Sequence, residues 1–160
     1  MQTIALTTRI NAPIELVFDL STDIDAQLSS ATSTLRAVAG VTSGHIKLGQ
    51  RVTWSSRQYG IAWKHTTEIT AFQRPTHLRD EMVSGAFRSL RHDHYFAPDL
   101  NPDGTSATVM RDLLVFAAPV PIAGIIAERL FLRRRLLKLL TDRNATLRRL
   151  AESAAIGAIA

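Results

Sequence analysis

Cysteine is absent from the sequence, which excludes disulfide staples and thiolate metal sites and leaves the redox compartment open. No apolar run approaches the ~20 residues that a membrane-spanning helix requires. The opening MQTIALTTRINAP has no charged region followed by an apolar one, so no signal peptide is read. A soluble, cytoplasmic protein is the expectation. Three phosphate- or nucleophile-bearing motifs are also missing: Gly-x-x-x-x-Gly-Lys, Gly-x-Gly-x-x-Gly and Gly-x-Ser-x-Gly. Aromatics are few and are not interleaved with basic residues on a strand, which argues against a nucleic-acid partner.

What is present describes one ordinary globular unit. A chain of 160 residues with 46% hydrophobic and 21% charged residues can bury a core unaided. Residues 1–153 are expected to form a single domain, with 154–160 a frayed tail. The net charge of +5 is not spread evenly. Eight basic and three acidic residues lie between Ile122 and Ser153, leaving 11 of each sign elsewhere. That concentration reads first as the solvated face of a helix. An anionic membrane surface met by Arg134, Arg135 and Lys138 is the alternative.

Residues 3–10 alternate with Ile4, Leu6, Thr8 and Ile10 on one face, as a half-buried strand does. Asn11 is the expected N-cap of a short helix that opens at Pro13 and runs to about Thr22. Asp25 to Ala31 suggests a second. From Leu35 to Phe116 the pattern becomes a succession of strands: short pieces divided by Gly40, Gly44 and Gly49, then Arg51–Tyr59, Ala62–Phe72, Leu78–Ser84, Phe87–Phe96 and Ala107–Phe116. Residues 98–104 form the expected surface loop, with Asp103-Gly104 at its turn. Short connections imply an antiparallel meander rather than βαβ units. Pro119 and Pro121 then end the last strand.

The segment from Ile122 to Ser153 reads as one long amphipathic helix. Ile122, Ile125, Ile126, Leu132, Leu136, Leu137, Leu139, Leu140, Leu147 and Leu150 share a broad arc, with Arg134, Arg135, Lys138 and Arg149 opposite. Arg129, Arg133 and Arg143 fall inside the apolar arc. The first two can extend their stems to water. Arg143, in mid-arc, needs a carboxylate, and Asp112 is the first candidate. The expected fold class is α+β: a curved antiparallel sheet of about seven strands wrapped around a long C-terminal helix, with two short helices after the first strand.

The resemblance to a known group rests on Ile10-Asn11-Ala12-Pro13 with Val17-Phe18, and on Leu48-Gly49-Gln50-Arg51-Val52-Thr53-Trp54. It continues through Arg57-Gln58-Tyr59-Gly60-Ile61, Asp80-Glu81-Met82 with Gly85 and Phe87, and His92-Asp93-His94-Tyr95-Phe96. It ends with Met110-Arg111-Asp112 and Glu128-Arg129-Leu130-Phe131. In these residues the chain resembles the START-like helix-grip superfamily, also called SRPBCC, in its bacterial polyketide cyclase/dehydrase and lipid-transfer group. The resemblance implies a cavity between sheet and terminal helix that takes a small hydrophobic or amphipathic molecule such as a lipid, polyketide or aromatic compound. It also implies an inward Arg57, although strand alternation places that residue with Thr53, Ser55 and Tyr59, opposite Val52 and Trp54.

His92 and His94 lie two apart on one strand and share its more apolar face with Leu90 and Phe96. Asp112 shares a face with Met110, Leu114 and Phe116, and meets the histidines if the strands flanking 98–104 pair. Three readings follow. The group is a satisfied polar network inside the sheet, or it recognises a ligand, in which case a histidine can also transfer protons as a cyclase or dehydrase requires. The third is a metal held by two imidazoles and a carboxylate. The His-x-His pattern is similar to that of cupins but lacks their following glutamate, so no metal or other cofactor is expected. Arg57, Trp54, Trp63, Met82, Phe87, Met110 and Arg143 complete the expected ligand-binding set. Asp80 and Glu81 face opposite ways and are not read as an acid/base pair. Binding is the expected function; the alternatives are a cyclase/dehydrase-like enzyme using His92, His94 and Asp112, and a membrane or partner module using the basic helix face.

Overall fold

The computed structural model describes residues 1–29, 35–58, 61–117 and 125–157, and within these the side chains of 57, 58, 61, 62 and 125–131 are left out. The strands are β1 (Gln2–Ile10), β2 (Arg36–Gly40), β3 (Arg51–Gln58), β4 (Ile61–Gln73), β5 (His77–Ser84), β6 (Ser89–Leu100) and β7 (Ser106–Ala117). They form one antiparallel sheet in the order β1-β7-β6-β5-β4-β3-β2. Each strand from β3 to β7 therefore lies beside its predecessor, and β1 pairs with the last of them. Between β1 and β2 come α1 (Ile14–Thr22) and α2 (Ile24–Ser29), and after β7 comes α3 (Ile125–Gly157). Register shifts between Ala37 and Ala39, Thr66 and Thr67, and Ile69 and Ala71 add the local bending and twist that let the sheet curve around α3.

Local chemistry differs from expectation at several ends. The residue preceding α1 is Pro13, with no side-chain cap, while Asn11 Oδ1 accepts a hydrogen bond from Arg9. The Asn11 amide instead donates to Glu152 on α3, tying the start of the chain to its last helix. The expected 98–104 loop is shorter, because β6 continues to Leu100 and only the turn around Asn101–Gly104 is left. Beyond Tyr95 the strand has β7 as its paired neighbour, so Pro98 loses no ladder bond to β5. Gly104 takes a φ of 81°, as the Asp-Gly turn requires. Phe87 precedes β6 rather than opening it.

The expected frayed tail is helical as far as Gly157. Ala154 and Ala155 are good helix formers, and Ala155 packs against the core. The expectations for Ala31, Tyr59, Gly60, Pro119, Pro121 and Ile122 lie outside the described residues.

The core divides into two clusters. The larger joins Ile10, Val17, Phe18, Ile24, Ile46, Val52, Ile69, Leu78, Phe96 and Met110 to Leu147 and Ala151 of α3. Phe18 is its hub, with ring centroids 5.2 Å from Phe72 and 5.4 Å from Phe96. The smaller holds Ile4, Leu114 and Phe116 against Leu140. Leu140, Asn144, Leu147 and Ala151 form the buried stripe of α3, at the spacing of a single helix face. One member of that stripe is polar, and it marks the boundary between the clusters. Phe18→Ala is expected to cost about 3–5 kcal/mol in urea denaturation, whereas Leu100→Ala, 66% exposed, is expected to stay within about 0.5 kcal/mol of the parent.

Candidate functional site

The β6–β7 register sets His94 directly opposite Asp112 and His92 opposite Leu114. Alternation along both strands turns His92, His94 and Asp112 toward α3. Asp112 has no exposed surface, so its two oxygens need partners within the protein. Oδ1 accepts from His92 Nε2 at 3.0 Å and lies 2.6 Å from His94 Nδ1, the second contact being an ion-pair distance off the line of a hydrogen bond. Oδ2 accepts from Asn144 Nδ2, which also donates to Thr8 on β1. One carboxylate thus joins β6, β7 and α3, and through Asn144 reaches β1.

The inner nitrogens of both imidazoles face Asp80 on β5. His92 Nδ1 is 3.8 Å and His94 Nε2 3.7 Å from Asp80 Oδ2, and the two rings are 3.9 Å apart at their centroids. Asp80 keeps 22% of its side chain exposed because it borders a cavity. Arg143 Nη1 approaches His94 Nε2 at 3.4 Å from the helix side. The cavity measures about 200 Å³ and is walled by Ile46, Trp54, Leu78 and Leu136, with Asp80, His92, His94 and Arg143 at its polar end.

Burial alone would raise the Asp112 carboxyl, but the hydrogen bond from His92 and the close contact and positive charge of His94 hold it far below the ordinary carboxylate range. Burial likewise opposes ionisation of Asp80, and His94, His92 and Arg143 outweigh it, keeping that group below its usual value. His92 is pushed down by burial and then by the charge on His94, against the pull of Asp112 and Asp80. Burial and the Arg143 guanidinium also oppose protonation of His94, yet its contacts with Asp112 and Asp80 leave it raised. Two adjacent imidazoles are driven apart: His92 toward the neutral form, His94 toward the cation.

The expected site residues separate into three groups. Trp54, His92, His94 and Arg143 line the cavity, and Asp112 lies directly behind the histidines. Met110 is wholly buried core, Phe87 packs edge-on against Phe116 in the smaller cluster, and Met82 lies apart from the cavity wall. Trp63 shares the parity of Thr67 and Ile69 but sits near the end of β4, where it is 47% exposed. None of these four is on the cavity wall, a difference from expectation that arises because alternation gives a facing but not the distance to the helix. The Arg57 side chain lies outside the described residues.

A further correction concerns Arg143. Its expected partner, Asp112, is taken by Asn144, one position on, and Arg143 turns to His94 and the field of Asp80. Sequence reasoning misses Asp80 and Asn144. A signal for Asp80 exists, because it shares a strand face with the buried Leu78. On the outer side of α3, Arg133, Arg134 and Lys138 are exposed and Arg135 is half-buried, while Lys138 pairs with Asp142 at 2.7 Å.

A single sheet gripping one long helix, with a cavity between them, defines the START-like helix-grip fold, and known proteins agree with it. A START superfamily protein from Mycobacterium smegmatis superposes with a TM-score of 0.67 at 15% identity, covering 95% of this chain and 98% of the other. The protein TTHA0849 from Thermus thermophilus gives 0.66 at 19% identity over 99% and 100% of the two chains. The ginseng major latex-like protein 151 from Panax ginseng gives 0.63 at 13% identity over 94% and 97%. At these identities the likeness is one of fold. The sequence family described as polyketide cyclase / dehydrase and lipid transport matches residues 1–152, and the chain belongs to that family. No curated protein matches the chain. Among the described residues no helix is long and apolar enough to cross a membrane.

Asn144→Ala is expected to cost about 1–3 kcal/mol, since it strips a donor from a buried carboxylate. Asn144→Asp is expected to cost more at pH 7, because it sets a second carboxylate against Asp112. The introduced carboxyl acquires a raised folded-state pKa. Its penalty is therefore absent below the unfolded value of about 3.9 and grows as pH rises above it, which denaturation at pH 4 and pH 7 will show.

Proposed function

We propose that the protein binds a small amphipathic molecule, its apolar body between Trp54, Leu78 and Leu136 and its polar group at Arg143, His94 and Asp80. The observation that carries this reading is the cavity itself, mostly apolar along its walls, with Ser21, Gln27 and Thr67 among them, and charged where Asp80, His92, His94 and Arg143 meet. Membership in a family named for polyketide chemistry and lipid transport supports it. The volume narrows the ligand class. An apolar cavity of about 150 Å³ holds one benzene, so about 200 Å³ suits a single aromatic ring or a short acyl chain better than a long lipid. Arg143 and the cationic tendency of His94 favour an acidic or carbonyl-bearing group at the polar end.

The test is displacement of a fluorescent apolar probe by matched small molecules that differ only in the polar group. An aromatic or short-chain carboxylic acid is expected to displace it better than the corresponding alcohol. Arg143→Leu is expected to reduce the affinity for the acid by about tenfold or more, the equivalent of losing a charge-assisted hydrogen bond, and to leave the alcohol little changed. Equal displacement by acid, alcohol and hydrocarbon in both proteins would contradict the assigned polar end.

A second reading is favoured by one further observation: His92, His94 and Asp80 all present polar atoms to the cavity, with Asp112 orienting the rings from behind. This is an arrangement suited to proton transfer in a cyclase/dehydrase-like reaction. If it is catalytic, His92→Ala and His94→Ala abolish turnover while the fluorescent probe still binds. Turnover unchanged in both variants would remove the enzyme reading.

A further inference from the structure

The three groups at the polar end of the cavity have a geometry that ligand recognition does not require. One nitrogen of His92, one of His94 and one oxygen of Asp80 all lie within 4.8 Å of one another. The carboxylate oxygen is 3.7 Å from one nitrogen and 3.8 Å from the other. Tetrahedral zinc, with bonds of about 2.0–2.1 Å, needs its donor atoms about 3.4 Å apart. The two sides that meet at Asp80 are therefore a few tenths of an ångström too long, and the side between the imidazoles is at most 4.8 Å, so side-chain rotation must draw the three donors together around an ion. The donors come from adjacent strands: His92 pairs across the β5–β6 ladder with Asp80 itself, and His94 with Leu78. Their backbone positions are held by the sheet before any ligand arrives.

A second feature points the same way. Histidines that hold a metal almost always give their other nitrogen to a carboxylate, carbonyl or water, which fixes the ring and its tautomer. Here one fully buried carboxylate, Asp112, meets the outer nitrogens of both rings, at 3.0 and 2.6 Å. That leaves His92 Nδ1 and His94 Nε2 as the nitrogens directed at the cavity. Asp112 is itself held by Asn144. With both imidazoles neutral, as metal ligands must be, Asp80 and Asp112 together match the charge of a divalent ion.

From this arrangement we infer that Asp80, His92 and His94 form a site for a divalent transition-metal ion such as zinc, with Asp112 as its orienting carboxylate. By sequence alone the carboxylate nearest the histidines is Asp112; the structure places that residue behind the rings and brings Asp80 to the front. Three protein donors leave coordination positions open toward the cavity, where a ligand's carbonyl or carboxylate oxygen can bind. Arg143 opposes the ion, because its guanidinium stands 3.4 Å from His94 Nε2. Half-buried on the helix, it must turn away on metal binding or pair with an anion that completes the coordination. The metal site shares the cavity with the proposed ligand but does not depend on it.

The test is titration of chelator-stripped, full-length protein with Co²⁺ followed by visible absorption, and competition with Zn²⁺. Saturation at one Co²⁺ per chain is expected, with displacement by Zn²⁺. Asp80→Asn, His92→Ala and His94→Ala are each expected to weaken binding at least about 100-fold, and Asp112→Asn about 10–100-fold. His45→Ala, at an exposed histidine that contacts Thr22 and is outside the three-donor group, is expected to change nothing, and Arg143→Leu to tighten binding. Circular dichroism shows which variants are folded; the partly exposed Asp80→Asn keeps the test decisive if a histidine variant does not fold. Uptake that does not saturate at one ion per chain, or that survives unchanged in folded Asp80→Asn and His92→Ala, would overturn the site. The same variants titrated with the apolar probe separate the two proposals, because loss of metal binding with probe binding intact removes the metal alone.

Discussion

The arrangement around the cavity depends on a carboxylate that has no water. Asp112 sits in the middle of β7, in a stripe otherwise made of Met110, Leu114 and Phe116, and it is ionised there only because His92, His94 and Asn144 converge on it. Such a group is stabilising only while all its partners are in place; removing one leaves a buried charge short of a partner. The consequence is geometric. With both outer imidazole nitrogens committed to Asp112, the inner ones can face only Asp80 and the cavity. The polar end of the pocket is thus a product of burial behind it rather than of loops around it.

The same carboxylate explains how α3 is registered on the sheet. Apolar packing is non-directional, and a helix whose stripe was leucine throughout would tolerate small slides along its axis. Asn144 interrupts the stripe between Leu140 and Leu147 and bonds to both Asp112 and Thr8, which ties α3 to two neighbouring strands at one point. The larger apolar cluster lies on one side of this tie and the smaller on the other. Arg143, one residue earlier, is thereby aimed at His94 and the cavity mouth. A polar anchor in an otherwise apolar interface costs stability relative to perfect packing and contributes uniqueness.

Much of the architecture is legible in the residues. The alternation of Ile4, Leu6, Thr8 and Ile10, the run of short strands without long crossovers, and the single long helix are local patterns that the tertiary structure leaves intact. The meeting of His92 and His94 with Asp112 is legible too, because a hairpin turn and a period of two fix which residues can touch. What is not legible depends on distances. Trp63 faces the same way as Thr67, yet only the position of α3 over the sheet decides that one is buried and the other half exposed. Asn144 escapes notice because a helix is read for its apolar stripe, in which a single amide looks like an exception. Asp80 invites comparison with its sequence neighbour Glu81, while its partners lie across the ladder on β6. Charge alone matches Arg143 to the nearest plausible acid, but one step along a helix rotates a side chain by about 100°, enough to give Asp112 to Asn144.

The central claim is that a small amphipathic molecule enters the space between the sheet and α3 and meets a charged end there. Nuclear Overhauser contacts between a bound aromatic carboxylic acid and the side chains of the labelled protein test this most directly. The account requires contacts from the ring to the methyl groups of Leu78 and Leu136 and to the indole of Trp54, with the carboxylate end nearest Arg143. Contacts confined to exposed residues such as Leu48 or Leu100, with none to the cavity wall, would contradict it.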